Sequence, residues 1–506
     1  MLGAKYPAPP LGLITVAAML PKSWTVRLVD WNTTEFTDAD LDWADMVMTG
    51  GMLPQQPSTL EIVRRCNAYG VPVVVGGPDV TTSTDIYHEA DFIVTGEAEG
   101  ILDQLFDDWR AGKRKGIYRA EKFKADVTTT PIPRFDLLNF DDYTQICVQF
   151  SRGCPFTCEF CDIIEIYGRN PRAKTNDQML AELQALYDLG YRGNVDFVDD
   201  NLIGNKKAVK AFLPDMVTWQ KKRHYPFVFS TEASLNLADD PALLNMMRDA
   251  AFFTVFVGIE SPDPDILTAT RKKQNTKRDI AESVHKIYDA GIFVLAGFIV
   301  GFDGEKGSIA DGIIELIEDA AIPVAMAGLL FALPETQLTR RLEAAGRLHP
   351  GHENSDGDFG DQCTSGLNFD TDRPRIEILE DYRRIVDHIY TPENYMRRVR
   401  RVVDLLDLSG PNGDLSRARL SKDIKQLFQV IWHLTVKRPE HRQPFWSLMF
   451  YCLRHKPRGI NAAMILYALY VHLGPFSRYV VSEIDKQIAD VRSGAWQRPQ
   501  ELVAAE

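Results

Sequence analysis

The chain has 506 residues, 45% of them hydrophobic, and a formal net charge of −13 from 57 Lys and Arg against 70 Asp and Glu. That length gives room for two to four domains, and the acidic balance excludes a general nucleic-acid binder. Seven cysteines, three of them in one short stretch, exclude a secreted disulfide framework. No basic region followed by an apolar run and a small-residue cleavage site opens the chain, so a cytoplasmic protein without signal peptide is expected.

The first 120 residues read as an α/β domain. Thr25 to Val29, Met46 to Thr49, Val71 to Val75 and Phe92 to Val94 are apolar β-rich runs that alternate with helical stretches such as Leu60 to Tyr69, the pattern of a doubly wound parallel sheet. Glycine turns follow the strands at Gly50, Gly51, Gly76, Gly77 with Pro78, and at Gly96 between Thr95 and Glu97. Such strand ends are where open α/β sheets bind ligands, although glycine also simply makes turns. Residues 1–8 are too short and too broken by Gly3 and Pro7 to form a strand. This sheet is therefore expected to lack its first strand, whether the natural start lies upstream or the strand has been lost.

Residues 121–144 read as a linker, because Pro131 and Pro133 disfavour helix and central strand. A βα repeat follows, with strands expected near Ile146 to Phe150, Val195 to Val198, Phe227 to Phe229, Phe253 to Val257, Phe293 to Phe298 and Val324 to Phe331. Thr175 and Gln178 form a capping box for a helix whose Met179, Leu183 and Leu186 share one face and which Gly190 can end.

Within this repeat Cys154, Cys158 and Cys161 are spaced C-x3-C-x2-C. Thiolates are the preferred ligands of iron–sulfur clusters, and a cubane usually takes four. Three cysteines thus leave one iron open for chemistry. The competing readings are a structural zinc site, which would need a fourth ligand that no nearby Cys or His pair offers, and three unrelated buried thiols.

The spacing, with the aromatic Phe160 just before the last cysteine, resembles the radical S-adenosylmethionine (SAM) superfamily. The resemblance implies a partial (β/α)6 barrel and a [4Fe–4S] cluster on Cys154, Cys158 and Cys161. It also implies SAM chelated to the open iron and cleaved by an electron from the cluster to a 5′-deoxyadenosyl radical. Site residues in such barrels come from the C-terminal ends of strands. By resemblance, Asp199, Asp200 and Asn201 are expected at the amino group of SAM, Ser230 and Glu232 at its ribose or carboxylate, Glu260 beside them, and Gly297 and Gly301 at the adenine. The plain alternatives are that residues 199–201 cap the next helix and that Glu260 pairs with a basic side chain.

Pro9 to Leu13, Val73 to Pro78 and Thr95 to Glu99, all upstream of the cysteines, resemble the cobalamin-binding domain of cobalamin-dependent radical SAM enzymes. Gly50, Gly51, Gly76, Gly77, Pro78, Thr95, Gly96 and Glu97 would then hold cobalamin. The Asp-x-His-x-x-Gly signature is absent and His88 is the only histidine of the region, so no histidine is expected on cobalt. Stretches around 149–164, 199–207 and 231–240 resemble the branch that includes hopanoid C-2 methylase.

After the cluster loop, Arg169, Arg172 and Lys174 are read as a solvated basic loop, with a SAM carboxylate or substrate phosphate as the alternative. Residues 145–345 are assigned to the barrel and 346–400 to an extension whose polar stretch from Gly351 to Gly366 holds Cys363, an ordinary loop cysteine. Residues 401–506 form a helical domain. There Leu427, Val430, Ile431 and Leu434 form one stripe, Phe445 to Leu453 is apolar nearly all round, and Ile460 to Leu473 is shorter than a membrane span needs. Basic neighbours at Lys437, Arg438, Arg454, Lys456 and Arg458 give these helices a second reading as a surface that touches membrane.

The expected function is an enzyme that methylates an unactivated carbon of a small or lipid-like substrate through methylcobalamin, with an external electron donor such as flavodoxin or ferredoxin. The alternatives are radical cyclisation, rearrangement or oxidation without methyl transfer, and a non-catalytic cobalamin or redox sensor.

Overall fold

The computed structural model describes residues 4–350, 362–410 and 431–499. The chain folds into two parallel sheets and a helical C-terminal region. In the N-terminal domain Val47–Gly50, Val73–Gly76, Phe92–Thr95 and Gly116–Arg119 form a four-stranded sheet in chain order, parallel throughout. Helix Gln56–Tyr69 covers one face, where Val63 and Cys66 pack on Val73 and Val75. Helix Leu102–Arg110 and the end of Leu11–Met19 cover the other, against Val74, Phe92 and Val94.

Thr25–Val29 does not join a ladder, contrary to expectation. A strand needs a neighbour whose N–H and C=O groups it can pair with, and the segment that would precede it runs elsewhere. Lys5 and Tyr6 donate to the Asp142 carbonyl at 2.8 and 3.1 Å, and Thr144 donates to Tyr6. The N-terminal residues thus lie along the linker. Among the described residues the sheet begins at Val47–Gly50.

The second sheet has six parallel strands in chain order: Ile146–Val148, Asn194–Phe197, Val228–Glu232, Phe252–Glu260, Phe293–Val300 and Val324–Leu329. All six expected strands are present. Phe197, Phe229 and Phe252 meet at ring separations of 5.4–5.6 Å in the core. Helix Asn176–Asp188 starts at the Thr175–Gln178 capping box and buries Met179, Leu183 and Leu186.

Helices Arg375–Ile389 and Pro392–Leu405 pack between the barrel and the C-terminal helices Arg442–His455 and Ile460–Ser493. The last helix runs through Pro475 for 34 residues. It is therefore long and apolar enough to cross a membrane by length and composition, where the sequence reading ended the segment at Leu473. Its Leu466, Tyr467 and Tyr470 are nevertheless buried against neighbouring helices. Of the expected stripe, Leu434 is buried and Ile431 half-buried, while Leu427 and Val430 lie outside the described residues.

Candidate active site between two parallel sheets

The cysteine loop leaves the first barrel strand through a two-residue antiparallel pairing of Ser151–Arg152 with Arg172–Ala173. Gly153 then turns with φ +99°, and a Cβ there would stand 2.8 Å from the Gly168 carbonyl oxygen. Two neighbouring carboxylates fix this turn. Asp199 accepts from the Phe150 and Ser151 amides at 2.9 and 2.5 Å and from the Ser151 hydroxyl at 2.6 Å. Asp200 accepts from the Gly153 amide at 3.0 Å. The pair at the end of the second strand thus shapes the loop that carries the cysteines.

Asn201 holds the next connection by donating to Ser234 Oγ at 3.0 Å, and its Nδ2 lies 3.9 Å from Cys154 Sγ. Gln274 Nε2 lies 3.6 Å from Cys158 Sγ. Burial raises the Cys154 thiol and pushes Cys161 well above the ordinary thiol range, and the charges of neighbouring thiols and acids, Asp162 for Cys161, act in the same direction. Thiols in such a setting ionise when a cation takes their charge, which suits a metal cluster. Among the described residues no three His, Cys, Asp or Glu side chains converge on one point that a single ion could fill. A cubane does not require such convergence, since it takes each thiolate on a different iron.

The other expected residues divide by what they touch. Ser230 donates to Asp196 at 2.5 Å. The Glu232 carboxylate makes no hydrogen bond or ion pair with a described residue, and the side chain is reached by solvent although protein surrounds it. Burial pushes Asp200 and Glu232 up to about 7, helped by Asp199 and Asp162 for the first and by Asp196, Asp200 and Asp199 for the second. A cationic ligand would relieve this crowding. SAM, with its ammonium and sulfonium, is such a ligand.

Glu260 sits at a register shift in the fourth strand, with φ +70°, and a bulge of this kind re-aims a side chain. Its carboxylate meets Lys272 Nζ at 2.6 Å, so the plain ion-pair reading holds for this side chain. Gly258 leaves room for the pair, since a Cβ there would stand 2.3 Å from Glu260 Oε1. Lys272 also lies 5.8 Å from the Phe160 ring centroid, and Phe160 packs on Phe302 at 5.5 Å. Gly297 faces the Phe256 ring and Gly301, at φ +105°, faces Leu367.

In the N-terminal domain Gly50 and Gly76 stand side by side in register, and a Cβ on Gly50 would fall 1.9 Å from the Gly76 carbonyl oxygen. Gly77 has φ +103°, and Pro78 starts a short helix that packs against Ile163–Ile166, just after the last cysteine. Thr95 is buried. Gly96, at φ +84°, donates to Thr81 Oγ1 at 2.9 Å. At these strand ends the glycines let neighbouring backbone segments of the domain approach closely. His88 is exposed, its Nδ1 3.1 Å from the Asp85 carbonyl oxygen.

Glu97 reaches across the domain boundary. Its carboxylate pairs with Arg152 at 3.1 Å and Arg172 at 2.8 Å, and Glu99 pairs with Arg152 at 2.9 Å. Lys174 is buried and pairs with Glu182 at 2.5 Å. The expected solvated basic loop is thus corrected for Arg172 and Lys174, whose charges are neutralised by buried acids; Arg169 is exposed. Sequence reasoning missed Lys272, twelve residues from its partner Glu260, and Gln274 and Arg152, whose partners Cys158 and Glu97 lie 116 and 55 residues away. The run of cations and amides from Arg271 to Asn275 was the available signal.

Two adjoining cavities complete the site. One of about 240 Å³ is lined by Phe160, Cys161, Glu260, Ile299 and Phe331 among others. The other, about 310 Å³, is lined by Leu53 and Pro54 of the N-terminal domain with Phe331, Leu333 and Gln362. They share Phe331, Leu333 and Gln362, so the cysteine loop and the Leu53–Pro54 segment of the N-terminal domain border neighbouring space.

Known proteins resemble this arrangement along nearly the whole chain. The B12 binding domain matches residues 1–106, the radical SAM superfamily matches 148–317, and a domain of unknown function, DUF4070, matches 336–486. An uncharacterized methyltransferase of Synechocystis sp. is 43% identical over 496 residues, 97% of this chain and 91% of that protein. Hopanoid C-2 methylase of Rhodopseudomonas palustris is 36% identical over 474 residues, 92% of this chain and 86% of its own. The cobalamin-dependent SAM radical enzyme OxsB, solved with aqua-cobalamin and SAM, superposes with a TM-score of 0.61 at 14% identity, covering 98% of this chain and 80% of that one. The last likeness is one of fold.

Proposed function

We propose, for a chain that belongs to the cobalamin-dependent radical SAM enzymes in the branch of hopanoid C-2 methylase, that it methylates an unactivated carbon of a largely apolar, polycyclic lipid. It is an enzyme whose cofactors are a [4Fe–4S] cluster, SAM and cobalamin. The observation that carries the substrate class is the pair of adjoining cavities, which reach from Phe160 and Cys161 to Leu53 and Pro54 along Phe331 and Leu333. A substrate there would lie between the two cofactor domains.

When bound, the cluster with SAM supplies a hydrogen-abstracting radical and cobalamin supplies a methyl group. The protein's part is to bind, align and keep water out. In this reading Cys154, Cys158 and Cys161 are the cluster ligands, and Asp199 and Asp200 hold their loop through the hydrogen bonds to Ser151 and Gly153. The partnerless carboxylate of Glu232 accepts from the ammonium or ribose of SAM. Phe160, Ile299 and Phe331 supply apolar lining to the cavity, a wall that would shield the reacting carbon from water. The Glu97–Arg152–Glu99 bridge ties the two domains together, which would hold their bound groups in adjoining positions. An external donor such as flavodoxin or ferredoxin supplies the electron.

The ligand assignment is tested by anaerobic reconstitution with iron and sulfide. The wild-type protein is expected to give a cubane EPR signal on reduction. The Cys154→Ala/Cys158→Ala/Cys161→Ala protein is expected to lose that signal and still bind hydroxocobalamin. A triple variant that kept the same cubane signal would overturn the assignment.

A further inference from the structure

The chain is acidic as a whole, yet residues 431–460 carry six Lys and Arg against one acid, Glu440. Lys437, Arg438, Arg442, Arg454 and Arg458 form no ion pair with a described residue. Arg442 donates to the Thr435 carbonyl, and Lys456 donates to the carbonyls of Asp404 and Leu406. Elsewhere comparable cations are neutralised, as Arg397 and Arg398 are by Glu318.

Helix Arg442–His455, within this stretch, has two apolar faces. Phe445, Leu448, Met449 and Cys452 are buried against the protein. Trp446, Phe450 and Leu453 point outward at i, i+4 and i+7, and are 36%, 63% and 53% exposed. The Trp446 and Phe450 rings are 5.8 Å apart. Just upstream, Trp432 and Val436 are 51% and 49% exposed. Large aromatic side chains left in water beside cations with no ion-pair partner among the described residues have the composition of a helix that lies in a membrane interface.

We infer that this face docks on an anionic lipid bilayer, with Trp446, Phe450 and Leu453 entering the boundary between headgroups and acyl chains. Arg438 and Arg442 on one side and Arg454 and Arg458 on the other meet the lipid phosphates. Charge decides the occupant. A second copy packed on the same face by two-fold symmetry would bring these cations against themselves, whereas a phosphate surface neutralises them.

The surface is remote from the candidate active site. Helix Ile460–Ser493, at 34 residues, runs about 51 Å. Toward its far end Gln487 donates to the Thr364 carbonyl, close to Gln362 of the cavity wall. Docking therefore leaves the cavities clear, and it can be tested apart from the chemistry.

The test is flotation of the purified full-length protein with vesicles of phosphatidylcholine alone and of phosphatidylcholine with phosphatidylglycerol. The protein is expected to float with the anionic vesicles only, less so at high salt. Trp446→Ser/Phe450→Ser/Leu453→Ser is expected to abolish flotation, and Arg454→Glu/Arg458→Glu to reduce it several-fold, with thermal unfolding and cobalamin binding unchanged. If the triple variant does not fold, the charge-reversal variant decides alone. Wild-type protein that stays with the unbound fraction, variants that float as well as wild type, or a solution dimer that the triple variant dissociates would overturn the inference.

Discussion

The Lys272 ammonium lies 2.6 Å from the Glu260 carboxylate, both of them buried beside the ring that precedes Cys161. Burial works against the charge of Lys272, but the Glu260 carboxylate outweighs it and holds the ammonium ionised. Neither member of the pair is dispensable alone. Lys272→Met leaves a buried carboxylate unpaired and is expected to cost about 3–5 kcal/mol, read by urea unfolding of the cofactor-free protein. Adding Glu260→Gln is expected to recover most of the loss. A single variant as stable as wild type would contradict the pairing.

The same reasoning applies where the domains meet. Arg152→Met takes from Glu99 the guanidinium that holds it at 2.9 Å and leaves Glu97 with Arg172 alone. The two domains should then separate more often, and a protease should cut within residues 121–144 several-fold faster than in wild type. Unchanged cleavage would mean that other contacts hold the boundary.

Asp200 and Glu232 are pushed up to about 7 from ordinary values of 3.8 and 4.5, chiefly by burial. Between those ordinary values and about 7 the folded protein binds more protons than the unfolded chain, so their contribution to stability falls as pH rises through this window and is constant above it. The cofactor-free Asp200→Asn/Glu232→Gln protein is expected to lose that part of the slope. SAM carries an ammonium and favours the ionised forms, so its affinity for wild type should rise over the same window. The measurements are unfolding at a series of pH values and equilibrium dialysis of SAM. A slope equally steep in the variant would refute the assignment.

Gly50→Ala places a Cβ 1.9 Å from the Gly76 carbonyl oxygen. The strand ends must shift, at about 1–3 kcal/mol. The variant should bind cobalamin far more weakly while its reconstituted iron content stays at the wild-type level. Equal loss of both would show that the damage is global.

Much of this was legible from the sequence because the signals are local. The cysteine spacing lies within eight residues, the capping box at Thr175 within four, and the apolar barrel strands are continuous short runs. Where the reading failed, the deciding partner was distant. Thr25–Val29 has the composition of a strand, but the ladder depends on a neighbour that residues 4–8 do not provide. Arg172 and Lys174 look solvated in sequence, yet Glu97, 75 residues upstream of Arg172, and Glu182, on the following helix, neutralise them. Glu260 was named both as a ligand contact and as half of an ion pair, and only the bulge at Gly258 and the return of the chain at Lys272 settle where its carboxylate points.

The central claim is methyl transfer to carbon in the space between the two domains. It is tested most directly by incubating the reconstituted, cobalamin-loaded protein with methyl-deuterated SAM, a strong reductant and a pentacyclic hopanoid, and analysing the products by mass spectrometry. The account predicts a labelled methyl group on the lipid, with 5′-deoxyadenosine and S-adenosylhomocysteine formed in comparable amounts. A hopanoid consumed with release of 5′-deoxyadenosine, but without S-adenosylhomocysteine or any label in the lipid, would contradict it.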